Sequence, residues 1–281
     1  MLVLIGDILM GIVWAILLPA LALPLASLVT KPSKLFQVLA VITLPLAVYT
    51  AYGVFSALAV DLIAPDLRLV SPITWCLGIL TIGILSLLVA THSARTVTDR
   101  IAKALSPIVT TIGKGMGALV FTMAGIQFGV VVLRYVFGWN SIFLQESVIY
   151  LYGSIFLLAA GYALTTNDHV RVDIFYGDAS PKRKALIDLA GVYLFLFPFC
   201  FLIVGMAGAY VGNSWAAFEG STEQSGIQAV FLLKSLIPTF AILLLAAGFL
   251  VASDATKVLT GLLDKRFQSP SDPLAEAQAH D

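Results

Sequence analysis

"SVIYLYGSIFLLAAGYALTT" occupies residues 147–166 without a single charged side chain. Twenty residues at about 1.5 Å of rise make a helix of roughly 30 Å, which is the thickness of a bilayer's hydrocarbon core. The whole chain carries the same signature. Over 281 residues it is 59% hydrophobic and 11% charged, with a mean hydropathy of +0.98. Soluble domains carry about 25% charged residues, so a large soluble core does not account for these values. The fold class is therefore all-α, a polytopic integral membrane helical bundle.

Working outward from 147–166, apolar runs predict seven transmembrane helices, at 2–29, 35–64, 72–91, 115–138, 147–166, 185–215 and 227–253. The first run has no Lys or Arg before Lys31 and far exceeds the roughly 7–15 apolar residues of a signal peptide, so it reads as a span. The organisation expected is a three-helix membrane extension (1–91), an interfacial amphipathic helix and linker (92–114), a four-helix membrane domain (115–258) and a disordered tail (259–281). That tail contains the polar, proline-bearing "SPSDPLAEAQAHD".

Orientation follows from the basic residues. Of the sixteen Lys and Arg, thirteen fall in one set of loops, among them Arg95, Arg100, Lys103, Lys182, Arg183 and Lys184. Only Arg68, Arg134 and Lys234 fall on the other side. Basic loops stay in the cytoplasm, so the N-terminus is expected outside and the C-terminus inside. In "ARTVTDRIAKALSPI", Val97, Ile101, Leu105 and Ile108 form a helical stripe with Arg95, Arg100 and Lys103 off it. This is either a helix lying on the membrane surface with its basic groups toward anionic lipid or a polar linker that is helical. A formal net charge of zero gives no indication of nucleic-acid binding.

Gly113, Gly117, Gly125 and Gly129 share one i+4 row in and before the fourth span. Small residues let helix backbones approach closely, which matters where lipid competes equally for apolar surface. The partner helix is either in this chain or in another. Just beyond lies "RYVFGWNSIFLQES", residues 134–147, in which Arg134 closes one span and Glu146 opens the next. A charge near the membrane tends to find a partner, and an Arg134–Glu146 pair is geometrically reasonable. Arg134 is otherwise a ligand for an anionic substrate or a snorkelling anchor. The aromatic residues of this turn, Trp139 among them, suit an interface.

"NDHVRVD", residues 167–173, follows the opening stretch and concentrates His169, Arg171 and two aspartates. His169 and Asp173 lie at i, i+4, but two ligands are fewer than zinc takes from protein, and no second pair is evident. The stretch reads as an anchoring turn at the inner membrane rim. Cys76 and Cys200 sit in apolar runs, as inert small hydrophobes. The three histidines, His92, His169 and His280, lie outside the spans, and there is no HExxH, GxSxG, Walker or GxGxxG motif. No catalytic residue and no cofactor is therefore assigned, and the chain is read as not an enzyme.

Residues 113–253 resemble the small permease (DctQ-like) subunit of tripartite ATP-independent periplasmic (TRAP) transporters. The resemblance rests on "RYVFGWNSIFLQES", on "HVRVDIF" followed by a "SPKRKA" turn, and on four spans with both ends cytoplasmic. Trp139 stands seven residues ahead of Glu146, further than the family's usual Trp, and residues 2–91 are additional to the family's four spans. The resemblance implies a non-catalytic subunit of the bacterial inner membrane. Its partners would be a DctM-like large permease subunit, a DctP-like periplasmic substrate-binding protein and membrane lipids. It also implies sodium-coupled organic acid uptake by the whole transporter. Gly113, Gly117, Gly125, Gly129, Arg134, Glu146, His169 and Asp173 then become packing and interface positions. Trp139, Asn140, Glu219 and Glu223 become contacts for the periplasmic protein. The competing readings are an independent small carrier or channel and the membrane anchor of another complex.

Overall fold

Several helix ends between residues 94 and 263 are set by local chemistry. The computed structural model describes residues 17, 20–28, 83–84, 88, 94–168, 176 and 179–263. All regular structure among these residues is helical, as the all-α expectation requires. Helix α1 runs Ala94–Val136, with Pro107 inside it. It stops where Gly138 takes a left-handed φ of 65°, a conformation that glycine adopts without steric cost. That turn lets the Trp139 N–H reach the Leu133 carbonyl at 2.9 Å. Helix α2, Ile142–Thr166, is opened by Ser141, whose side chain accepts the Leu144 N–H. It is closed by Asn167, left-handed at φ 64°, whose N–H bonds to the Ala163 carbonyl. Asn is among the few non-glycine residues that tolerate this position.

Helix α3, Pro181–Gly191, starts with proline just inside the helix and Ser180 as its cap. It continues through a π turn, Val192–Leu196, into α4, Phe197–Ala216. The widened turn has a cause in Pro198, which lacks an N–H and whose ring would strike the carbonyl four residues back. The extra residue relieves that clash, and the Phe197 N–H reaches back to the Val192 carbonyl. Helix α5, Val230–Leu259, is the last described helix and contains Pro238.

Four helical stretches are long and apolar enough to cross a membrane: Ala94–Val136, Ile142–Thr166, Pro181–Ala216 and Val230–Leu259. They correspond to the expected spans at 115–138, 147–166, 185–215 and 227–253. The chain divides into two units, Met1–Ile101 and Ala102–Asp281, with the boundary inside α1. The spans expected at 2–29, 35–64 and 72–91 lie outside the described residues, except for scattered positions. Cys76, His169, Arg171, Asp173 and the tail from residue 264 also lie outside them.

Helix α5 is the axis of the second unit, with α2, α3, the π turn and α4 packed against it. From Ala241 to Val258 it is buried on nearly every side, including Leu243, Leu244, Phe249, Val251 and Ala255. In lipid, close packing rather than water exclusion must hold such helices together. Gly161 of α2 shows how this is done. A Cβ there would lie 3.1 Å from the Leu243 carbonyl oxygen, so the α2 and α5 backbones nearly touch. Gly248 leaves a similar space on α5 for Leu196 and Phe197.

Two local readings of α1 change. The segment 92–114 is not separated from the following span, because the helix is continuous from Ala94 to Val136. Its covered stripe is also displaced by about one residue. Ala94, Thr98 and Val109 are buried, whereas Ile108 is 52% exposed.

Candidate functional site

The helix ends next to the 137–141 turn and the 217–229 loop carry a connected polar cluster. Glu146 lies one turn into α2. It accepts the Ser221 hydroxyl on Oε1 and the Ile227 N–H on Oε2 at 2.6 Å. It therefore ties α2 to the loop between α4 and α5, residues 75 and 81 positions away. Arg134 is not its partner: the guanidinium lies on an exposed stretch and forms no ion pair with any described residue.

A second cluster holds the start of the same loop. Lys234 of α5 is ion-paired with Glu219 and lies 4.2 Å from the centroid of the Tyr210 ring. Both interactions are available to a cation near an interface, where it satisfies charge and ring face together. The Lys234 hydrogen bond is the main reason that the Glu219 carboxyl titrates below its ordinary value. Beside it, the Trp215 indole N–H donates to Ser235 Oγ at 2.7 Å. The Trp215 and Phe218 rings pack edge-on against Phe231, with centroids 4.7 and 5.8 Å away.

The remaining residues expected at this end are exposed. Trp139 is 60% exposed, and Asn140 accepts a hydrogen bond from the Gln145 side chain. The Glu223 backbone is fixed, its N–H bonding Ser221 Oγ at 3.1 Å and its carbonyl accepting the Gly226 N–H at 3.0 Å. Its side chain is exposed.

The glycine row of α1 divides. A Cβ at Gly113 would collide with the Tyr162 side chain of α2. At Gly117, Gly125 and Gly129 a Cβ would meet nothing within 4 Å. The same stretch exposes Phe121 at 82% and Phe128 at 71%. Among the described residues the small-residue face is therefore open over most of its length.

At the opposite helix ends, "NDHVRVD" opens as the cap of α2. Asn167 is the left-handed residue, and Asp168 donates its N–H to Ala163 and accepts from Thr166 Oγ1. Nearby in sequence, the Tyr176 hydroxyl donates to Asp188 at 2.9 Å, and Lys184 lies 5.2 Å from the Tyr176 ring centroid. Arg100, Lys103, Lys182 and Arg183 are exposed. Cys200 is a free, fully buried thiol.

The comparison with protein families bears on this arrangement. The family model described as tripartite ATP-independent periplasmic transporters, DctQ component, matches residues 123–257. This part of the chain belongs to the DctQ family. The DctQ segment starts partway along α1 and ends within the last turn of α5, so it holds both polar clusters and all of α2 to α4. Residues 1–122 precede it. DctQ is a component of transporters rather than a family of enzymes, and with four apolar helices the chain is a multi-pass membrane protein. No curated protein and no solved structure matches the chain.

Sequence reasoning placed Glu146 and Glu219 at this end of the bundle but missed what they bind. Lys234 gave one available signal, as a lone cation near the start of an apolar helix that calls for a local anion.

Proposed function

We propose that this chain is the small, non-catalytic membrane subunit of a TRAP transporter. It scaffolds a DctM-like large permease subunit and helps to dock a DctP-like periplasmic binding protein during sodium-coupled organic acid uptake. The observation that carries the scaffolding reading is the open face of α1 at Gly117, Gly125 and Gly129, within and just before the DctQ segment. A helix with small residues and exposed aromatics on an apolar, lipid-depth stretch is suited to close packing against another protein's helix.

In this reading the N-terminus is outside and the C-terminus cytoplasmic, in a bacterial inner membrane. Arg100, Lys103, Lys182 and Arg183 then meet anionic headgroups on the cytoplasmic side. Trp139, Asn140, Glu219 and Glu223 face the periplasm, where the binding protein arrives. Sodium and the organic acid pass through the large subunit, and this chain contributes no ligand to either.

The test is co-expression with the adjacent genes and gentle purification through a tag on this chain. A much larger membrane protein should co-purify in fixed stoichiometry. Gly117→Leu should reduce that yield without lowering the amount of this chain in the membrane. Retention of the partner at the wild-type level by Gly117→Leu, Gly125→Leu and Gly129→Leu would remove the α1 face from the interface.

A further inference from the structure

The 217–229 loop connects α4 to α5, yet its shape is set from α2. The neck of the loop is closed by the Ser221 N–H bonding to the Ile227 carbonyl at 3.2 Å. Those two neck residues are the ones that Glu146 grips, one with each carboxylate oxygen. The fit is close, since a Cβ at Gly226 would lie 2.6 Å from Glu146 Oε1. At the start of the loop Glu219 is held separately by Lys234. Both ends are thus pinned by charges on two different helices. What remains is the tip, residues 222–225, all exposed. Glu223 is the only charged residue in that tip.

An unpinned loop must be ordered when a partner binds, at a cost in backbone conformational entropy. A loop already held in shape avoids that loss, and the gain appears as affinity. Bonds to an ionised carboxylate are stronger than bonds between neutral groups, so one glutamate at the neck is an effective clamp.

We infer that Glu146 is a positioning residue: it holds the 217–229 loop preformed so that Glu223 is presented to a cationic patch on a partner protein. The partner's chemistry follows from charge, because a lone exposed carboxylate on a rigid tip is complementary to Lys- or Arg-bearing surface and steers it into register. The docking half of this inference rests on the subunit reading above. The clamp does not.

The experiment uses the full chain in nanodiscs, both alone and with its co-purified large subunit. Amide hydrogen exchange at Ile227 and in the tip is the local readout. Glu146→Gln keeps the side chain's size but leaves one acceptor oxygen, and Ile227 exchange should rise on the order of tenfold. Exchange within Ile142–Thr166 should not change. Glu146→Asp, one methylene shorter, should not rescue. With the complex, Glu146→Gln should weaken capture of the binding protein about tenfold while large-subunit yield is kept. Glu223→Gln should weaken capture, and its salt dependence, without altering Ile227 exchange.

Unchanged Ile227 exchange in Glu146→Gln would overturn the clamp. An equal rise throughout α2 and α5 would do the same, because it would mean that Glu146 supports only global stability. Loosened exchange with undiminished capture would overturn the docking role. Failure of the wild-type chain to bring down any large subunit would instead sink the subunit reading and the docking half with it. The exchange result would still decide the clamp.

Discussion

Gly161→Leu tests the packing of the second unit at its tightest point. The missing Cβ would sit 3.1 Å from the Leu243 carbonyl oxygen and 3.4 Å from its carbonyl carbon. Heavy-atom contacts prefer about 3.5–4.0 Å, so even Gly161→Ala forces a shift of a few tenths of an ångström. The obstacle is backbone, which cannot rotate away as a side-chain tip could. Alanine recovers about 1 kcal/mol of helix propensity, which roughly offsets so small a shift. Leucine adds three more carbons to the same gap and must separate α2 from α5. Overpacking of this kind costs about 1–3 kcal/mol. A loss of about 2 kcal/mol corresponds to roughly a thirtyfold fall in the folded-to-unfolded ratio. The assay is titration of the purified chain with SDS in mixed micelles, followed by tryptophan fluorescence. Gly161→Ala should lie near wild type, and Gly161→Leu should unfold at clearly lower SDS. Gly117→Leu, at a position with nothing within 4 Å, should unfold with wild type. The reasoning fails if Gly161→Leu is as stable as wild type, or if Gly117→Leu destabilises the isolated chain equally.

Other outcomes follow from the helix ends and the loop. Asn167 is left-handed, and its side-chain oxygen is buried with no hydrogen-bond partner among the described residues. Asn167→Gly should therefore raise stability by about 1 kcal/mol, and Asn167→Val should lower it by about 1–2 kcal/mol, in the same SDS titration. Glu219 titrates below its ordinary value of 4.5 because Lys234 bonds its ionised form. Its contribution is fully present above that value and is lost as pH falls through the lower, folded one. The protection of the Glu219 amide, relative to its intrinsic exchange rate at each pH, should fall over that acidic window in wild type and change much less in Lys234→Met, where it is already reduced.

Much of this architecture could be read from the chain alone. Apolar runs with few charges, long enough to cross a bilayer, located all four described spans, because hydrophobic length is a local property. The match of 123–257 to DctQ likewise agrees with the motifs in residues 134–147 and 169–175. Pairings across the fold were not legible. Nothing near Glu146 in sequence points to Ser221 or Ile227, since a backbone N–H carries no residue-type signal. The short span to Arg134 suggested an ion pair that the structure does not contain. The glycines went the same way. A row at i+4 drew attention to Gly117, Gly125 and Gly129, which are open, whereas single glycines at 161 and 248 do the packing within the chain. A periodic pattern records a helix face, and it does not say which molecule covers that face.

Reconstitution into liposomes tests the central claim most directly. This chain would be assembled with its large subunit, and the binding protein added outside with a labelled organic acid under an inward sodium gradient. Uptake should require all three proteins and sodium, and liposomes holding this chain alone should accumulate nothing. Substrate accumulation by this chain alone, at a rate that the other two proteins do not change, would contradict its assignment as a subunit.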